Sequence, residues 1–246
     1  MSTASAKSKP FLLGICCFFL LFSGAIAQNR VHIGIGYNQS YAQLDSLNYV
    51  LGAFNSENTW MEKPLSEIHF SGGIAAHVGA DFGGVLLDVG YTMRNAYRKG
   101  KGDGSPGEGS QVIQLRYNAS TVDIGLGYFA LRKPRLRMAL GGEMSFGNLN
   151  ISGRRGNVGQ LESQVYGRYI NELNFGATAF MHWMIAFQDG VGPGIFIRPY
   201  FQFSLLQNDY VPLNRVLRPT EWLSDSQFIL GKQSNVGMKV GMFFGS

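Results

Sequence analysis

From residue 85 to residue 98 the chain reads VLLDVGYTMRNAYR, and its side chains sort into two sets that cannot share one solvent. Leu87, Val89, Tyr91 and Met93 fall on one face of an extended segment; Asp88, Gly90, Thr92 and Arg94 fall on the other. A repeat of two sustained over about ten residues belongs to a β-strand, because successive strand side chains point to opposite faces, while a helix repeats every 3.6 or so. A half-buried strand of a soluble sandwich has the same repeat. What separates the two architectures is whether the rest of the chain repeats it, and what kind of loops connect the repeats.

Seven further segments do repeat it. They span residues 31–40, 68–82, 111–131, 136–150, 170–187, 195–207 and 235–244, giving eight candidate strands with 85–98. In 31–40, Val31, Ile33, Ile35 and Tyr37 oppose His32, Gly34, Gly36 and Asn38; in 235–244, Val236, Met238, Val240, Met242 and Phe244 oppose Gly237, Lys239, Gly241 and Phe243. Segment 111–131 is the irregular one. Its second half sets Val122, Ile124, Leu126 and Tyr128 against Thr121, Asp123, Gly125 and Gly127, but its first half alternates in the opposite phase, which predicts a bulge near Asn118 or a strand that projects beyond a bilayer.

Loop lengths alternate as well. Residues 39–67, 99–110, 153–169 and 208–234 are long connections, whereas 81–84, 132–135 and 188–194 are short. Long loops at one end and tight turns at the other describe an outer-membrane barrel, with both termini on the periplasmic side. Most strand glycines fall on the polar face. An eight-stranded barrel is just wide enough for its own side chains to fill, so this inward set reads as packed filling, not an open channel.

Residues 1–27 stand apart: Lys7 and Lys9, an apolar run from 11 to 22, then Ala25-Ile26-Ala27. A basic start, a short apolar centre and an A-x-A ending are those of a secretory signal peptide, leaving 28–246 as one barrel domain. Cys16 and Cys17, the two cysteines of the chain, both lie in that leader, so no disulfide framework is expected. The charge balance, 21 basic against 16 acidic residues before the leader is removed, is too weak and scattered to argue for nucleic acid.

On these features the chain resembles the small outer-membrane β-barrels, the OmpX-like and PorT-like group: leader, eight alternating strands, loop asymmetry and an aromatic last strand ending Phe243-Phe244-Gly245-Ser246. The resemblance implies an antiparallel up-and-down barrel in a bacterial outer membrane, monomeric, in contact with outer-membrane lipid and lipopolysaccharide. It also implies roles in surface interaction, envelope assembly or secretion support, or, rarely, lipid hydrolysis.

The barrel interior is expected to hold Asp88, Asp123 and Glu143 with Arg94, Arg198 and Lys239, plus His32, His77 and His182, as a polar network in which acids and bases pair. No cofactor and no metal site is expected. A hydrolase would draw on His69 and Ser71, a His-x-Ser pair on one face of the second strand. Two long loops are patterned: residues 45–54 place Leu47, Val50, Leu51 and Phe54 at helical spacing after a cap at Asp45 or Ser46, and 210–223 gathers Leu213, Leu217 and Trp222 with Arg215 and Arg218. Either these loops form a lid over the barrel mouth, or they expose an apolar patch to an envelope protein or lipopolysaccharide, with the arginines facing phosphate.

Overall fold

The structure is a computed structural model that describes residues 30–103, 109–158, 161, 164–189, 192–219 and 229–245. The leader, the tip of the 99–110 loop and Trp222 lie outside these. Eight antiparallel strands follow one another around a closed ring: β1 (Arg30–Ala42), β2 (Phe70–Phe82), β3 (Val85–Gly102), β4 (Gln111–Arg132), β5 (Leu136–Asn157), β6 (Gly167–Ala186), β7 (Gly194–Ser204) and β8 (Asn235–Gly245). The last strand returns to pair with the first, from His32 opposite Gly245 to Ala42 opposite Asn235. Every strand therefore has two partners and no edge is left open.

Local chemistry sets the tight end. Between β2 and β3 the chain reverses through Gly83 and Gly84, whose φ angles of 63° and 112° suit a residue without a Cβ. The Asp81 carboxylate accepts a 2.9 Å hydrogen bond from the Gly84 amide and closes the turn.

The wall is taller on one side. β3 to β6 run 18, 22, 22 and 20 residues, while β1, β2, β7 and β8 run 13, 13, 11 and 11. The four tall strands overrun several of their sequence-expected ends because they continue upward as a palisade. On the low side the long loops fold over the mouth as α1 (Asp45–Glu57) and α2 (Val211–Leu217), beside a two-residue ladder between Asn208–Asp209 and Leu230–Gly231.

Of the two causes expected for the irregular half of segment 111–131, the strand that projects beyond a bilayer fits and the bulge near Asn118 does not. Pairing runs without a shift through Asn95, Asn118 and Asn150, and the β4 bulge lies instead between Phe129 and Leu131. Ile113, Leu115, Tyr117 and Ala119 point inward in the same parity as Thr121 and Asp123. What changes at Asn118 is the chemistry of the inner face, from polar below to apolar above, because above that level the interior is lined by a lid.

That lid core joins Leu47, Val50, Leu51 and Phe54 of α1 and Leu213 and Leu217 of α2 to Leu115, Leu149, Ile151 and Ile170 of the palisade. Each fully buried large side chain contributes on the order of 1.5–3 kcal/mol, so the cluster holds both loops down without help from capping. Indeed α1 starts at Leu44 with no side-chain cap. Asp45 and Ser46, the expected caps, are used elsewhere: Asp45 accepts from the Gln43 amide at 2.9 Å and Ser46 donates to the Leu230 carbonyl at 2.9 Å.

Candidate functional site

Below the lid the interior is charged. Arg198 on β7 is 1% exposed and donates from Nη1 to Asp88 at 2.5 Å and from Nη2 to Glu143 at 2.6 Å, tying β7 to β3 and β5 across the lumen. Its guanidinium also lies 3.8 Å from the centre of the Phe180 ring. Lys239 on β8 reaches Asp123 at 3.1 Å and Glu143 at 3.5 Å, and the Thr92 hydroxyl donates to Asp123 at 2.6 Å. The expected pairing of acids with bases thus holds for five of the six charges. Arg94 is the exception: it donates to the amide oxygen of Gln202, which Asn235 also engages at 2.7 Å.

Beneath this layer lie the three interior histidines. His32 and His77 ring centres are 5.5 Å apart, His77 and His182 5.2 Å, and His32 and His182 5.9 Å. Gly34 and Gly79 make room for them. A Cβ built at Gly34 would fall 2.2 Å from His77, and one at Gly79 would fall 2.3 Å from His32. The floor is apolar: Leu86, Phe129, Phe180, Met184, Phe196 and Phe243 close the turn end. Phe180, Met184 and Phe196 share the inward parity of His182 and Arg198, so the alternation that located the charges also pointed to them.

Outside, the barrel is the reverse. Ile33, Ile35, Val78, Ile124, Leu126, Val240 and Met242 are all between about two-fifths and three-fifths exposed, and Tyr128, Phe187 and Phe244 join them towards the turn end. From Ile33 to Tyr41 this band covers eight residue steps, about 26 Å along the strand at ~3.3 Å per residue and roughly 20 Å of height once tilted by ~40°. An apolar belt around buried, paired charges is stable only against hydrocarbon.

The fold is that of a transmembrane β-barrel. It crosses with strands; among the described residues no helix is long and apolar enough to do so. No protein-family model and no curated protein matches the sequence. Among solved structures, the barrel is similar to Ail, the attachment invasion locus protein of Yersinia pestis, with 10% identity, 88% of this chain and 99% of that chain covered, and a TM-score of 0.45. Neisserial surface protein A is similar at 10% identity, 87% and 96% coverage and a TM-score of 0.40. The outer membrane protease OmpT from Escherichia coli is similar at 7% identity, 89% and 96% coverage and 0.33.

The structure separates the remaining candidate residues of this transmembrane barrel. His69 and Ser71 do not meet. His69 stacks on the outward ring of Tyr41 at 5.7 Å and pairs with Glu67 at 2.7 Å, whereas Ser71 is buried and shares a 2.9 Å hydrogen bond with Ser40. β2 begins at Phe70, so His69 precedes the strand and escapes its parity. Leu47, Val50 and Phe54 are at most 1% exposed and so cannot be the docking contacts considered for them. Arg218 is buried too, donating to Glu57 and thereby joining the end of α2 to the end of α1; Arg215 stays exposed.

One outer feature was not anticipated. At the top of the palisade, Arg116 lies 3.7 Å and Arg154 4.6 Å from the centre of the Tyr166 ring, and Arg155 lies 5.4 Å from Trp60. Lys63 and Lys101 exchange two 2.9 Å backbone hydrogen bonds, which pins the 43–69 loop to the upper end of β3. These residues come from three loops and strand ends, so no local spacing announced them.

Proposed function

We propose that this protein resides in a bacterial outer membrane, is not an enzyme, and acts in surface interaction through its palisade rim, which docks the phosphate groups of lipopolysaccharide. The observation that carries the reading is the rim of Arg116, Arg154 and Arg155 stacked on Tyr166 and Trp60. A guanidinium stacked by one face can still offer in-plane N–H groups to phosphate oxygens. Arg154 already donates from Nε to Gln114 and from Nη1 to the Gln164 carbonyl, and Arg155 from Nε and Nη2 to Gln111, so Arg116 is assigned the bidentate contact and the other two contribute their charge and remaining N–H groups. The interior supports the same reading by leaving little else to act: its charges are mostly paired, its floor is aromatic and its mouth is plugged. A lipid hydrolase is not favoured, because its base and hydroxyl lie on opposite sides of the wall; Ser71→Ala is expected to leave lipid A acylation unchanged.

The test is binding of the purified barrel, in nanodiscs, to lipopolysaccharide and to the same glycolipid stripped of phosphate. Preference for the phosphorylated form, weakened about tenfold by Arg116→Gln with Arg155→Gln and by added salt, is expected. Equal binding to both forms, or a double variant indistinguishable from the parent, overturns the proposal.

A further inference from the structure

The three lumen histidines carry more than a packing role. Among the described residues His32, His77 and His182 are the His, Cys, Asp or Glu group of three or more able to hold an ion, and their ligand nitrogens all lie within 4.8 Å of one another. They are 4%, 5% and 0% exposed, and Nε2 of His32, Nε2 of His77 and both ring nitrogens of His182 have no hydrogen-bond partner. Buried polar atoms are normally satisfied, and three imidazoles that each bring an unpartnered nitrogen to one spot point to something that satisfies one nitrogen of each. The geometry points to a binding site for a divalent transition-metal ion of the zinc class, held by these three imidazoles between the charged layer and the aromatic floor.

Each part of the surroundings fits. Imidazole is the ligand such ions prefer, and three protein nitrogens with one further position make a common zinc site. Zinc–nitrogen bonds of about 2.0–2.1 Å in a tetrahedron put the nitrogens ~3.4 Å apart, so ring rotations that draw them in by an ångström or so complete the set. Asp88 offers the fourth position or an outer hydrogen bond: its Oδ1 has no partner, and a Cβ on Gly79 would sit 3.2 Å from that oxygen and 2.4 Å from His32 Nε2. Gly34 and Gly79 leave the space that the His77 and His32 rings occupy. There is also a way in. A shallow cleft at the turn end, lined by His32, Pro134, Arg137, Met184, Gly192 and Phe243, brings solvent to the edge of the His32 ring.

The strands involved give the ion a structural consequence. His32 and His77 sit on neighbouring β1 and β2, whereas His182 sits on β6, three strands from β1 in one direction and four from β2 in the other. A bound ion therefore fastens opposite walls of the barrel, and because it binds the folded state it raises that state's stability with concentration.

The experiment uses full-length mature barrel, free of any histidine tag, refolded without metal and titrated with Zn²⁺ or Co²⁺ alone. One equivalent per chain is expected, with the visible absorption of tetrahedral cobalt and a thermal midpoint that rises as metal is added. His77→Gln and His182→Gln, verified as folded by heat-modifiable migration, should each weaken binding at least about tenfold. His69→Gln, which removes the remaining histidine of the four in the chain, should change nothing. Should a lumen variant fail to fold, the parent protein decides alone: no stoichiometric binding, or no tetrahedral cobalt spectrum, overturns the site. Binding retained in both lumen variants or lost in His69→Gln overturns it equally.

Discussion

Arg198→Met asks how much the crossing ion pairs matter. The guanidinium is 1% exposed and its two acids have side-chain exposures of 1% and 2%, so none of the three is screened by water. Taking away the cation leaves Glu143 with Lys239 at 3.5 Å, but removes the salt-bridge partner of Asp88, whose other oxygen is already unpartnered. Breaking a buried pair from one side costs about 3–5 kcal/mol, or some two to three and a half powers of ten in the folding equilibrium. Adding Asp88→Asn and Glu143→Gln to Arg198→Met removes the stranded charges and should recover most of that loss, since the penalty is for an unpaired charge more than for the missing attraction. Urea unfolding in lipid vesicles, followed by tryptophan fluorescence and by heat-modifiable migration, measures both variants. A single variant within about 1 kcal/mol of the parent, or a triple variant no better than the single, refutes the reasoning.

Three other outcomes are expected. Phe54→Ala hollows the lid core and should cost the lid about 3–5 kcal/mol, seen as faster protease cleavage of the 43–69 loop while the barrel keeps its folded gel mobility. Burial, with Tyr117 and Glu172 nearby, pushes the Tyr210 phenol above its ordinary value. The folded lid then holds that proton more tightly than the unfolded loop, so its stabilisation is complete below about pH 10 and lost as pH rises further; protease resistance should fall there, and Tyr210→Phe should flatten the dependence. In planar bilayers the protein should give no large stable conductance, and shortening α1 should not create one, because the charged layer and the aromatic floor remain.

The strands were legible because their information is local: Leu87 and Asp88 need only the repeat of two to find their sides, and hydrocarbon outside with packed charge inside gives that repeat its sense. Leu115 and Tyr117 misled for an instructive reason. Their parity agrees with Asp123, but above the bilayer the interior turns apolar, so polarity alone suggested a change of phase. The meeting of His32, His77 and His182 was not legible at all. Which level His182 occupies opposite His77 depends on the stagger accumulated across every strand pair and fixed where β8 meets β1. The same holds for Arg218: its charge suggested a phosphate contact at the surface, and its place beside Glu57 follows from packing between two loops distant in sequence.

The two lid helices spring from the β1–β2 and β7–β8 connections, on either side of the seam where the chain's ends join. The contacts of Arg218 with Glu57 and of Ser46 with the Leu230 carbonyl bridge the loops on the two sides of that seam. Closing the ring and closing the lid are therefore coupled: a variant that opens the seam between the first and last strands is expected to part the two lid helices as well. The same hydrogen-bonded seam thus holds both the wall and its cover.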